Sequence, residues 1–151
     1  MAQPTQQIPG GGLAERVTVQ SESASRTAAD QRRQTPGTWV DVHSADPLVR
    51  WRFTRGGDVE RSADGGVTWT REPIPGPRVR LIVGIAPSAS VCWLAGAGGV
   101  VLRFTAEQGW RRVPLPVRGD ADWMDASDAQ NAWVRVQGRR FTTTDGGRTW
   151  R

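Results

Sequence analysis

A chain of 151 residues, 37% of them hydrophobic, is long enough for one domain with a real core and too short for two good ones. Its net charge of +5 comes from arginines scattered among acids, with no block of like charge, which argues against a dedicated nucleic-acid surface. The single cysteine, Cys92, excludes an internal disulfide. No segment has the charged start and apolar run of a secretory signal or the roughly 18 apolar residues of a membrane helix.

Read as written, the chain is soluble and its compartment is left open; an export signal for an extracytoplasmic protein would lie upstream. Residues 1–37 are rich in Gln, Ser, Thr, Ala, Gly and Pro, and their only large apolar side chains are Ile8, Leu13, Val17 and Val19. This composition predicts a flexible tail or linker. Within it, "SASRTAADQRRQ" can form a helix from about Ser23 until Pro36-Gly37 stops it, with no apolar stripe beyond alanine to dock.

From residue 38 to 151 the pattern changes to short runs of Val, Trp, Phe and Thr between Gly-, Pro- and Asp-containing turns, the signal of an all-β domain. Three segments share one layout: 46–69, 88–110 and 128–150. Each places a turn residue (Asp46, Ser88, Asp128) five positions before a strand tryptophan (Trp51, Trp93, Trp133). A glycine hairpin, a second strand and a closing tryptophan follow. The closing residues Trp69, Trp110 and Trp150 stand 41 and 40 positions apart, the length of one four-stranded propeller blade.

Two of the closing turns read "SADGGVTW" (62–69) and "TTDGGRTW" (143–150). Paired glycines permit positive φ in a tight connection, and Asp64 and Asp145 can accept bonds from the turn's own N–H groups. Thr68 and Thr149 brace the far side, and the tryptophan folds beneath. The structural set is therefore Ser62, Asp64, Gly65, Gly66, Thr68, Trp69, Trp110, Thr143, Asp145, Gly146, Gly147, Thr149 and Trp150.

This S/T-x-D-G-G-x-T-W pattern is the Asp-box, or bacterial neuraminidase repeat, present twice intact and once degraded as "TAEQGW" (105–110). With its flanks ("RWRF…VERSADGGVTW", "APSASVCWLAGAGGVVL", "RRFTTTDGGRTW"), residues 38–151 resemble the photosystem II stability/assembly factor-like Asp-box propellers. Within that group they most resemble soluble C-terminal domains of bacterial anchored proteins, some classed as anti-sigma factors. The resemblance implies an array of about three four-stranded antiparallel blades acting as a non-enzymatic binding or scaffolding module. Its partner would be another protein or further segments of a longer parent chain, extracytoplasmic if that parent is anchored. The chain lacks the zinc-finger cysteines of those relatives. Because "TREPIPG" and "RRVPLPV" begin new strands after the first two closing tryptophans, a strand should also follow Trp150, where only Arg151 stands. Residues 38–44 are expected to supply it, or the chain is a fragment of something longer.

Catalytic readings find little support. A sialidase needs a tyrosine nucleophile, and the chain has no tyrosine. His43 lacks metal-spaced partners and a nucleophile elbow, and reads as a strand-end histidine. "DADWMDASD" gathers Asp120, Asp122, Asp125 and Asp128 without the glycine and final glutamate of a calcium loop, so an acidic inter-blade loop is favoured over calcium binding. "GAGG" (96–99) lacks the lysine and helix of a phosphate loop and reads as a hairpin. No cofactor is expected. Arg50, Arg52, Arg78, Arg80 and Arg135 alternate with apolar residues and are assigned to the strand face opposite the aromatics. They are the candidate ligand contacts of an alternative reading, binding of a polyanion such as nucleic acid or glycan. Most tryptophans are expected in the core.

Overall fold

The computed structural model describes residues 38–151, so the tail and helix expected within 1–37 lie outside the described residues. β1 (Trp39–His43), β2 (Arg50–Thr54), β3 (Val59–Ser62) and β4 (Thr70–Arg71) pair in that order as the first antiparallel sheet. β5 (Leu81–Ser88), β6 (Val91–Gly96), β7 (Val101–Thr105) and β8 (Gly109–Arg112) repeat the arrangement in the second. The third consists of β9 (Ala121–Ala126), β10 (Ala132–Val136) and β11 (Arg139–Thr143), in the order β11-β10-β9. Arg151 exchanges two backbone hydrogen bonds of 2.9 Å with Thr142, which begins a fourth strand beside β11.

The expectation that residues 38–44 complete the last sheet is corrected here. They form β1 and pair with β2, from Trp39 opposite Thr54 to His43 opposite Arg50. The alternation of "WVDVH" places Val42 opposite Trp51, both buried, and a slip of one residue would turn Val42 to the other face. The third sheet is instead extended by its own chain at Arg151. Each sheet thus starts one strand before the sequence repeat does.

The three sheets stack through two apolar junctions. Val42, Trp51, Phe53 and Val59 of the first sheet meet Leu81, Cys92, Leu94 and Leu102 of the second. On its other face, Trp93, Ala95 and Val101 meet Met124, Val134, Val136 and Phe141 of the third. β6 therefore has both faces buried, which is why "VCWLAG" carries no charge. Each large side chain buried in this way stabilises by about 1.5–3 kcal/mol relative to exposure.

The tryptophans divide more finely than expected. Trp51 and Trp93 are fully buried, Trp39, Trp69, Trp110, Trp133 and Trp150 are half-buried, and Trp123 is exposed. An indole carries an N–H, and the half-buried position lets its body pack while that N–H finds an acceptor near the surface.

Candidate functional site

The two intact turns are clasps built around a carboxylate. Asp64 Oδ1 accepts from the Ser62 hydroxyl at 2.8 Å and from the N–H groups of Val67 and Thr68 at 3.1 and 2.9 Å; Thr68 Oγ1 donates to Oδ2 at 2.5 Å. Asp145 repeats the pattern, with the Thr143 hydroxyl at 2.8 Å, the Thr149 N–H at 2.9 Å and the Thr149 hydroxyl at 2.7 Å. Ser62 and Thr143 also accept from the N–H of Gly66 and Gly147. Gly147 has φ +90°, and a Cβ there would lie 2.6 Å from the Val113 side chain, so the second turn seats directly on the segment after β8. Hydrogen bonds from the Thr68 and Thr149 hydroxyls, then from their N–H groups, lower the pKa of Asp64 and Asp145 from 3.8 to about 2.

The closing tryptophans take three different acceptors. Trp69 Nε1 donates to Gly66 O at 3.1 Å within its own turn. Trp110 Nε1 reaches Glu72 Oε1 at 2.8 Å, and Trp150 Nε1 reaches Val113 O at 3.2 Å, so these two tie neighbouring repeats together. The degraded turn 105–110 lacks the carboxylate clasp; there the Thr105 hydroxyl accepts from the Gln108 N–H at 3.2 Å.

The junctions differ in polar satisfaction. Trp93 Nε1 donates to Asp128 O at 3.0 Å, and Arg103 Nη1 donates to Gly146 O at 3.0 Å, both across the second junction. At the first junction, Trp51 Nε1 and Arg61 Nε are buried without an acceptor. For the arginine, register shows a difference: Arg61 opposes Trp51 as Arg103 opposes Trp93, but the degraded turn lacks the paired glycines, one of which supplies the Gly146 carbonyl to Arg103.

Four of the five candidate arginines face carboxylates of this chain. Arg52 donates through Nε and Nη2 to Glu60 at 3.0 and 2.7 Å, and its guanidinium lies 4.3 Å from the Trp39 ring and 4.1 Å from that of Trp69. Arg78 pairs with Asp58 at 3.0 Å, Arg80 with Asp120 at 3.2 Å and Arg135 with Asp122 at 2.9 Å. Arg50 Nε is buried without a partner. Within β2 the arginines point away from Trp51 and Phe53, but Arg52 lies against Trp39 and Trp69, and Trp133 and Arg135, two residues apart in β10, share a face.

The expectation of an acidic inter-blade loop at 120–128 is corrected here: residues 121–126 form β9, with Asp122 and Asp125 in the strand and Asp120 and Asp128 flanking it, and its carboxylates make internal contacts. Besides those two ion pairs, Asp125 caps the Ala126 N–H, and Asp128 binds Gln130 and Asn131, whose N–H groups lower its pKa. Among the described residues, no three of His, Cys, Asp and Glu are grouped as metal ligands. His43 is exposed at the end of β1. Burial pushes the Cys92 thiol well up and leaves it a small apolar side chain.

Among the described residues, one surface hollow of about 320 Å³ is lined by Asp58, Arg71, Glu72, Pro73, Ile74 and Arg78 among others. Asp58 stands there between Arg71 at 3.7 Å and Arg78 at 3.0 Å. Of this group the sequence singles out only Arg78; the proline-rich "REPIPGPR" (71–78) is the signal for Arg71, Glu72, Pro73 and Ile74, and Asp58 lies outside it. A second hollow, about 210 Å³, lies beside Trp133, Asp125, Asn131 and Thr142.

The stack of antiparallel meanders, each wound from one repeat, is that of a β-propeller. The solved structure described as "YCF48 bound to D1 peptide" matches with a TM-score of 0.60 at 18% identity, over 77% of this chain and 44% of that one. YCF48 from Cyanidioschyzon merolae matches with a TM-score of 0.63 at 25% identity, over 77% of this chain and 37% of that one. The chain thus spans less than half the length of either structure. No protein-family profile and no curated protein matches. Among the described residues, no helix is long and apolar enough to cross a membrane.

Proposed function

We propose that residues 38–151 are a non-enzymatic protein-binding domain of the assembly-factor kind, taking an extended segment of another protein. The observation that carries this reading is the shared propeller fold with YCF48, one of whose structures holds a D1 peptide. The Asp-box sequence resemblance points the same way. The clasps support it by assigning Asp64 and Asp145 to turn architecture, where every strong contact is internal. Function in such folds lies in grafted sites, and the hollow around Asp58 is the site assigned here to the partner segment.

A sensory role, an anchored parent protein and any link to anti-sigma factors belong to this proposal and rest on the sequence resemblance alone. Polyanion binding is the weaker alternative, because four of its five arginines already face carboxylates of this chain. The deciding experiment is fluorescence anisotropy with a labelled D1 peptide and a library of extended peptides, at low and physiological salt. Saturable binding that survives physiological salt, with neither molecule altered, is expected. Binding confined to heparin or nucleic acid at low salt, or hydrolysis of a glycan by the pure protein, would overturn the reading.

A further inference from the structure

We infer that the outward face of the third sheet is built as an end face, with two arginines standing where a seat for another sheet needs apolar side chains. The two internal junctions show what a seat requires. Toward the second sheet, the first offers Phe53 opposite Val59, and the second answers with Leu94 opposite Leu102. Toward the third sheet, the second offers Ala95 opposite Val101, answered by Val134 opposite Phe141. None of these eight side chains is more than 5% exposed.

The equivalent register position on the outward face of the third sheet holds other chemistry, Arg135 opposite Arg140. Arg135 and its partner Asp122 are 47% and 57% exposed. A sheet seated here would strip water from two guanidinium groups that face each other across one strand pair, where like charges already repel. Repeat arrays need such polar outer faces on their terminal units to stay soluble.

The repeat tryptophans give an independent sign. Trp51 and Trp93 are fully buried and reach into the next sheet, Trp51 at 5.5 Å from Phe104 and Trp93 at 6.3 Å from Trp150. Trp133, at the equivalent position, turns to its own sheet. It stacks on Trp123 at 3.9 Å and lies under the Arg140 guanidinium, also at 3.9 Å. The third sheet therefore packs its repeat tryptophan internally, with Trp133 between Trp123 and Arg140, and leaves Trp123 exposed.

Sedimentation velocity of the full chain, Arg140→Glu and the double variant Arg135→Ala/Arg140→Val tests this. The double variant installs the Ala95/Val101 pair of the second sheet on the outward face. It is expected to gain a concentration-dependent species, at least tenfold tighter in dissociation constant than any association of the parent, while Arg140→Glu sediments as the parent does. Parent association that Arg140→Glu dissolves would overturn the proposal, as would a double variant that sediments like the parent. Acrylamide quenching of the parent, compared with Trp123→Phe, needs no disruptive variant. An accessible Trp123 is expected, and a protected one would overturn the end-face assignment.

Discussion

Replacing each of the two fully buried tryptophans by phenylalanine separates packing from hydrogen bonding. Both substitutions remove a similar slice of indole from a junction, and a residual cavity of about 40 Å³ at about 24 cal/mol per Å³ costs roughly 1 kcal/mol. Trp93→Phe also loses the bond from Nε1 to Asp128 O, a further loss of roughly 1 kcal/mol. Trp51→Phe loses no such bond, because Trp51 Nε1 has no acceptor. It removes an unsatisfied buried donor whose desolvation costs about 1–3 kcal/mol, which offsets the cavity. Trp93→Phe should therefore be less stable than Trp51→Phe by about 2–4 kcal/mol, or roughly 8–16 °C in Tm for a domain of this size. Urea and thermal unfolding followed by far-UV circular dichroism avoids using tryptophan as the reporter. A Trp51→Phe variant at least as unstable as Trp93→Phe would refute the reasoning.

The clasps predict acid sensitivity. Their folded pKa values, about 2, lie below the ordinary 3.8, so between these limits the unfolded chain binds more protons and stability rises with pH. The contribution is complete above about pH 4 and is lost as pH falls through 2; the double variant Asp64→Asn/Asp145→Asn should flatten the Tm-versus-pH curve in that window. Gly147→Ala should cost about 2–4 kcal/mol in urea unfolding, combining left-handed strain with overlap on Val113. Gly138→Ala, at φ +80° with nothing within 4 Å of the added Cβ, should cost only about 1–2 kcal/mol, and equal losses would refute the seating of the second clasp. Trp110→Phe should loosen the Glu72 tie between the first two repeats, read as faster hydrogen exchange of β4 and β8 with little change in β10.

Local chemistry was legible in the order of residues. Asp-Gly-Gly with flanking hydroxyls forms its clasp from hydrogen bonds between residues at most four apart, so Asp64 and Asp145 are readable from spacing alone. The strands and their hairpins follow likewise, because a period of two and a glycine turn are short-range signals. What tertiary structure alone decided is which face of each strand meets another sheet. That choice placed 39–43 in the first sheet, gave Trp93 an acceptor and left Trp51 without one, paired Arg80 with Asp120 across forty residues, and set Arg135 beside Trp133 on an outer face. Alternation defines two faces but not their neighbours. The neighbour depends on how the sheets stack, which is settled by the apolar pairs Phe53/Val59, Leu94/Leu102, Ala95/Val101 and Val134/Phe141 meeting across junctions that no single stretch of sequence contains.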